Sequence, residues 1–590
     1  MNPTRQELKA SPVAVMHWFR RGLRLHDNPA LVSALSKAKS CPTGKGKVYP
    51  VYVLDGDSYQ LKHCSALRAN FLVECLQDLD KSLRALGSRL YVAKGDPAVE
   101  LPKVWDQFGV THMTFDLDES GEPYAVERDG KVMSIAKANG LGYEGFTSET
   151  LFPLGKVGGY VGKVGNSLSV PSSMSSFQSL LPQMGPIPKP ILAPTKSDFP
   201  EKQTHKNDIY LPPKSPLDLP WPRNIPRSEV TPSWGKEDCK NLTPIVRGGE
   251  REALQQLAQS ITKRPAFCAS FSKPSTSPTS LSPSTTCLSP YLAHGCLSVK
   301  LMWEAVEEAV KKAPSSCERT KPPTSLLGQI IWREFNYLMA HTANQISPGS
   351  WGKIRGNPYC RHVKWERDHD KLIAWKEGRT GFPWIDACMT QLKAQGWMHH
   401  LGRHAVACFL TRGDLWQSWE EGALHFESQL LDADYAVNNF NWLWLSCSGF
   451  FYQYFRCYSP IAFQRGNDPT GVYIRNWLPG LQKIPDKYIY EPWKAPKDVQ
   501  KKSGVIIGKS YPSPIVNHGE VSKENMDRMS VAYEAHKETQ AKKKKGKRGR
   551  DDEELSLRGG LEERRHRQVG IATSFLSLFF LSSYSVSLFW

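Results

Sequence analysis

The sequence predicts an α/β domain with a doubly wound parallel sheet, followed by a mostly α-helical domain. Three observations lead there. Short apolar runs alternate with helical stretches over residues 12–154, a Pro-, Ser-, Gly- and Lys-rich stretch spans 155–248, and the periodicity of 249–537 is almost wholly helical. A length of 590 residues also exceeds what a single core serves.

Taken in order, residues 13–19 read as a buried strand, 28–39 as a helix, 48–54 as a second strand and 67–86 as a helix, with further strands at 89–92 and 111–115. Strands alternating with helices build a parallel sheet, which binds ligands at the carboxyl ends of its strands. Asp55, Asp116 and Glu119 fall at those ends. Residues 155–248 are too long for a loop within a compact domain and read as an interdomain connector packed on the surface. Amphipathic helices follow at 250–261, 297–312, 325–344, 369–377, 384–395 and 399–411. Residues 538–590 are expected to form a basic, disordered tail. Its Lys542, Lys543, Lys544, Lys545, Lys547 and Arg548 read either as a solvated charge block or as a nuclear localisation signal. The apolar run 570–590 is broken by repeated Ser, so no stable membrane association is expected.

Composition narrows the function classes. Hydrophobic residues at 40% and charged residues at 23% exclude wholesale disorder and a multi-span membrane protein. The 13 Cys are scattered without a CxxC pair or a Cys/His ladder, so a reducing compartment is the default and no metal site is expected. A net charge of +18 favours a polyanionic partner, nucleic acid first. Of the 43 Pro many mark the connector, whereas the 18 Trp call for a use.

Three constellations carry chemistry. Thr285, Thr286 and Ser289, with Leu288 between them, place hydroxyls just before a helix, suiting either a phosphate or a plain N-cap. Gln329 and Arg333 share a helix, and Asp432, Asp434 and Asn438 follow about a hundred residues later; alone, Arg333 and the two Asp read as structural ion pairs. His400 and His404 stand at i, i+4 on one helix face and could converge on a ligand. A zinc site is the alternative, although the Glu of an HExxH motif is missing, and backbone-satisfied core histidines are the other.

These segments, with Phe19, Arg20, Arg21, Gly22, Leu23, Arg24, Leu25, His26, Asp27, Asn28 and Pro29, resemble the photolyase/cryptochrome family over roughly residues 13–535. The run from Trp397 to Trp416 is similar to (6-4) photolyases and animal-like cryptochromes, since cyclobutane-dimer enzymes carry Asn and Met where His400 and His404 stand. The resemblance implies an antenna domain, a helical domain holding FAD, and a second antenna chromophore, either a deazaflavin or a folate. It implies that Thr285, Thr286, Leu288 and Ser289 cradle the FAD pyrophosphate, and that Gln329 and Arg333 bind beside them. Asp432, paired with Arg403, and Asp434 would contact the isoalloxazine and ribose edge, and Asn438 would face flavin N5 with an amide able to donate or accept.

Trp442, Trp419 and Trp365 match the family's electron-transfer chain, with Trp416 as a fourth member, and Trp332 matches the aromatic wall of a pocket for an extrahelical lesion. Trp18 and Trp384 are read as packing. The activity implied is light-driven repair of (6-4) pyrimidine-pyrimidone photoproducts by electron transfer from excited reduced FAD, with His400 giving the proton and His404 tuning it. The alternative is an animal-like cryptochrome photoreceptor using the same FAD and Trp chain. UV-damaged DNA and signalling proteins are the implied partners of a nuclear, monomeric protein with a cytoplasmic pool.

Overall fold

The computed structural model describes residues 13–57, 64–155, 163–164, 167–168, 171, 173–200, 210–219, 237–240 and 242–562, with side chains up to 542 apart from the short hairpin at 163–168. The first domain runs β1 (Ala14–Phe19), α1 (Pro29–Lys39), β2 (Lys47–Leu54), α2 (Ala66–Ala85), β3 (Tyr91–Lys94), α3 (Pro97–Phe108), β4 (His112–Asp116), α4 (Pro123–Ala138) and β5 (Gly142–Phe146). All five strands are parallel in the order β3-β2-β1-β4-β5. The doubly wound sheet predicted from the sequence is present, and α3, α4 and β5 complete it. Local chemistry sets the ends: Asn28 accepts from Leu31 N at the start of α1, Asp96 from Ala98 N at α3, and Gly109 closes α3 at φ 60°. Trp18 lies in the sheet's own core, and Trp384 is equally buried in the helical domain, both packing as expected.

The connector holds a hairpin of β6 (Lys163–Val164) and β7 (Ser167–Leu168), then α5 (Met174–Leu180). It lies against the sheet domain: Asp27 N donates to Ile191 O at 2.7 Å, and Lys39 pairs with Asp198 at 2.7 Å.

The helical domain contains α6 (Glu250–Leu257), α7 (Pro265–Ser270), α8 (Ser289–Ala293), α9 (Val299–Lys312), α10 (Leu326–Ile346), α11 (His369–Lys376), α12 (Pro383–Gln395), α13 (His400–Cys408), α14 (Trp419–Gln429), α15 (Tyr435–Leu445), α16 (Val472–Trp477), α17 (Lys497–Ser503) and α18 (His518–Glu562). Two differences from the sequence expectation have clear causes. The helix expected at 399–411 ends at Cys408 in a wide turn, Phe409–Gly413, where Thr411 leaves helical geometry at φ −96° and ψ −114°. The tail expected to be disordered from 538 continues α18 to Glu562, because the helix is already docked through Met529 and no Pro interrupts it; the apolar run 570–590 lies outside the described residues.

The domains meet closely. His26 Nδ1 contacts Glu250 Oε1 at 2.5 Å, Arg24 donates to Gly295 O at 2.9 Å, and Gly295, at φ 68°, has no room for a Cβ, which would come within 2.8 Å of Arg21 O.

Candidate flavin site and tryptophan chain

A cavity opens inside the helical domain. Thr285, Thr286, Leu288, Ser289, Gln329 and His400 line it together with Lys273, Phe271, Trp397 and Met398. Six of the predicted residues, more than a hundred positions apart at the extremes, therefore share one wall. The hydroxyl strap is held from behind: Gln256 Nε2 donates to Thr286 O at 2.8 Å, and Cys287 adopts φ 51°, a left-handed turn unusual for a residue with a Cβ. The helix that follows, α8, has five residues, so its dipole is small, and Leu288 at its cap position makes no side-chain cap bond. The Ser289 hydroxyl instead donates to Asp432 Oδ2 at 2.7 Å, which removes the plain N-cap reading. A ligand entering here would meet side-chain hydroxyls more than a helix terminus.

Arg403 and Asp432 form a buried bidentate pair behind this strap, at 3.0 and 2.9 Å, and Arg403 Nε also donates to Met398 O at 2.7 Å. Arg333 and Asp434 stand apart from it. Arg333 donates to Glu149 O at 2.7 Å and to the Tyr337 hydroxyl at 3.0 Å, while Asp434 accepts from Tyr337 and, at 2.9 Å, from Arg21. Asp434 Oδ1 caps α15 through Val437 N at 3.0 Å. Burial alone would raise its pKa, but Arg21 and Arg333 hold it below the usual carboxylate range.

The sites fit a polar heterocyclic ligand with a phosphate tail. Asn438 donates to Ala423 O at 3.0 Å, but its Oδ1 is buried without a hydrogen-bond partner, as are Gln329 Oε1 and His400 Nδ1. Buried polar atoms left in that state cost stability unless a ligand or water meets them, and FAD carries both donors and acceptors.

His400 and His404 are both buried, with ring centroids 5.6 Å apart and planes at 81°. His404 Nδ1 meets the Tyr458 hydroxyl at 3.2 Å. His399 precedes them as the cap of α13, accepting from Leu401 N at 3.2 Å, and its Nε2 contacts Thr276 Oγ1 at 2.9 Å. Burial, reinforced by His399 and Lys273, drives the pKa of His400 well below its ordinary value; burial and Lys273 do the same for His404. The pair is thus neutral in this state. Among the described residues no group of three or more His, Cys, Asp or Glu side chains is arranged to hold a metal ion. Lys273, His399, Tyr458, Tyr337 and Arg21 were given no site role from the sequence; His399, beside the pair, and Arg21, in the N-terminal motif, carried a local signal.

The tryptophans fall into two groups. Trp442 on α15 lies over Gly422 of α14, where a Cβ would approach the ring to 2.2 Å, and Trp419 is buried on α14 one turn earlier. Trp365 and Trp416 form a ring pair at 4.8 Å, with Trp416 at φ 56° and its Nε1 donating to Lys364 O at 2.9 Å. Trp332, expected at the wall of a lesion pocket, stands apart from this cavity. It is 1% exposed, edge-on to Trp444 at 5.8 Å and beside Phe440, because α10 is buried on nearly every face, so it packs the core rather than lining this cavity. Phe271 and Trp397 supply the aromatic lining instead.

A second cavity sits at the carboxyl edge of the sheet. Of the three acidic groups expected there, only Asp55 lines it, joined by Asp118 and Glu122. Asp116 is tied to Ser148 at 2.9 Å and Glu119 to Thr150 at 2.7 Å.

A parallel sheet with a cavity at its carboxyl edge, joined to a helical domain with a hydroxyl-lined cavity, defines a two-domain architecture with a cavity in each domain. Residues 15–164 match the family described as DNA photolyase, and residues 326–531 match the FAD binding domain of DNA photolyase. The chain is 42% identical over 528 residues to Cryptochrome-1 of Sylvia borin, covering 88% of this chain and 78% of that protein. It is 42% identical over 525 residues to Cryptochrome-2 of Gallus gallus, covering 88% and 83%. Among solved structures, a bacterial class III photolyase from Agrobacterium tumefaciens superposes with a TM-score of 0.68 at 27% identity, over 89% of this chain and 98% of that one. An archaeal photolyase from Sulfolobus tokodaii, solved with two FAD molecules, gives 0.61 at 25% identity over 88% and 100%. The chain belongs to the DNA photolyase and cryptochrome family.

Proposed function

We propose that the protein is a blue-light photoreceptor of the animal cryptochrome type. The observation that carries this reading is the 42% identity, over 528 residues, to a protein named Cryptochrome-1. FAD, when bound, supplies the group that absorbs blue light and exchanges electrons. The chain's own residues hold it, with Thr285, Thr286, Leu288 and Ser289 at the phosphates, Gln329 and Asn438 offering unmatched amide oxygens, and Asp432 oriented by Arg403. Arg333 and Asp434 fix the far side. Trp442, Trp419, Trp365 and Trp416 offer oxidisable indoles, and the Trp365–Trp416 pair lies against α18, so a change of charge there reaches the C-terminal helix.

A second reading, light-driven repair of (6-4) photoproducts, is favoured by His400, which lines the same cavity as the phosphate strap and is backed by His404 and Tyr458. Under this reading His400 gives the proton to the lesion, and UV-damaged DNA is the substrate. Signalling proteins are the partners under the first. Both place the protein in the nucleus, with a cytoplasmic pool, as a monomer, and both leave the sheet-edge cavity for a deazaflavin or folate antenna. Among the described residues no helix is long and apolar enough to cross a membrane.

One experiment separates the readings. Purified, FAD-loaded protein is illuminated with blue light, following flavin reduction by absorbance and loss of a (6-4) lesion from an oligonucleotide by chromatography. Photoreduction without repair supports the receptor; repair supports the enzyme. Bound FAD that is neither reduced nor able to repair would overturn both.

A further inference from the structure

Arg21 follows β1 at the carboxyl end of the central strand, and its guanidinium bridges the sheet domain and the helical domain. Nε meets Glu149 at 3.1 Å and Nη1 faces Asp118 at 3.9 Å, while Nη2 donates to Asp434 at 2.9 Å and to the Tyr337 hydroxyl at 3.0 Å. Arg21 and Asp118 both line the sheet-edge cavity, whereas Asp434 caps α15, the helix that carries Asn438 and Trp442. One side chain therefore touches the wall of the sheet-edge cavity and the helix that carries the unmatched Asn438 amide oxygen.

The backbone beneath it has no slack. A Cβ on Gly22 would come within 2.3 Å of Asp116 Oδ2, and one on Gly295 within 2.7 Å of Gly22 N. The guanidinium thus answers to charge on either side, not to movement of its own loop. The surroundings make that answer large. Arg21 and Arg333, with Arg128 on the Asp118 side, face the carboxylates of Asp118, Glu119, Glu149, Glu334 and Asp434, and the Arg21, Glu149 and Asp434 side chains are 15%, 8% and 5% exposed. At such depth charges interact with little screening.

Building on the flavin reading above, we propose that Arg21 is a positioning residue between the sheet-edge cavity and α15: it fixes Asp434 and the first turn of α15, and through Asp118 it transmits a change of charge in the sheet-edge cavity to the affinity for FAD. Coupling of this kind is reciprocal, so FAD also alters the sheet-edge cavity.

The test uses the full chain with Arg21→Met, Asp434→Asn, Asp118→Asn and the Arg21 double variants, in two arms. Without FAD, acid unfolding is followed by circular dichroism. Asp434, held below the carboxylate range, contributes stability present above its unfolded pKa and lost as the pH falls through its folded value. Arg21→Met should raise the pH of half-unfolding, and should do so much less in the Asp434→Asn background; equal shifts in both would overturn the positioning role. With FAD, dissociation constants are measured by titration. Asp118→Asn should change affinity by about two- to thirtyfold in the wild-type background and leave it unchanged in the Arg21→Met background. The same effect in both backgrounds, or none in either, would overturn the coupling. Wild-type protein that takes no FAD would overturn the flavin reading and the coupling together, while the acid-unfolding arm still decides whether Arg21 holds Asp434.

Discussion

Arg403 and Asp432 face each other as a fork on a fork, Nη1 to Oδ1 at 3.0 Å and Nη2 to Oδ2 at 2.9 Å, with side chains 1% and 2% exposed. Such a pair does little net work compared with an apolar pair of equal volume, but breaking one half strands a buried charge. Asp432→Asn should therefore cost about 3–5 kcal/mol of stability and release Ser289 from the strap. Calorimetric melting and flavin content after gel filtration check it, and a variant that melts and retains FAD like wild type would remove Asp432 from the site.

His400 and His404 are neutral at rest because burial opposes their charge. A neutral imidazole becomes a proton donor only after taking a proton, so repair, where it occurs, should accelerate as the pH falls from about 8 to about 6. His400→Ala should abolish repair while leaving FAD bound and photoreduction intact. Full repair by that variant, or a flat pH profile, would move the proton to another group.

The α/β sheet was legible because buried parallel strands are continuous apolar runs, and the amphipathic helices because their burial is one-sided. Helices α14 and α15 were not, since α15 is buried on nearly every face and leaves no period of 3.6 to read. The strap at Thr285–Ser289 and the histidine pair were visible as local spacing. Arg21, Lys273, Tyr337 and Tyr458 became site residues only through contacts spanning from a handful of residues to several hundred, which composition and spacing do not encode. Trp332 shows the converse: its motif was readable, but its surroundings decided its place.

Gly422 has no side chain because Trp442 occupies the space, with the ring 2.2 Å from where a Cβ would stand. Gly422→Ala should cost about 1–3 kcal/mol through overpacking and tilt Trp442 away from its place. Photoreduction should slow while FAD affinity is retained; transient absorption after a laser flash reads the difference. Trp442→Phe should block photoreduction of oxidised FAD outright, and unchanged kinetics in both variants would dismiss the Trp442 assignment.

Stability should peak near pH 6.5. Burial holds His17, His294 and His399 near about 3, and His400 and His404 well below normal, whereas the unfolded chain protonates each near about 6.5. The unfolded state thus binds more protons in acid, so this stability is present above about 6.5 and lost as the pH falls through that value. Glu149 and Glu334 act in the opposite sense: burial raises each to about 8, so their contribution is full in acid and declines as the pH rises toward 8. A melting temperature that climbs steadily from pH 5 to 8 would contradict the buried-carboxyl half of this account.

Helix α18 packs against the Trp365–Trp416 ring pair. Met529, 1% exposed, packs with Val363, Trp416 and Cys447, the Arg528 guanidinium stands 5.4 Å from the centre of the Trp416 ring, and the Tyr533 hydroxyl donates to Cys447 O at 3.0 Å. These contacts end well before the basic run, so a chain stopped after Lys542 should melt as the full chain does. Met529→Ala should cost about 2 kcal/mol and uncover the indole pair. Acrylamide should then quench Trp fluorescence more strongly, and an external thiol should speed photoreduction, because the last oxidised indole meets its reductant directly. Unchanged quenching and kinetics would mean that α18 does not shield Trp416, and would detach the C-terminal helix from the light-driven charge movement on which the receptor reading depends.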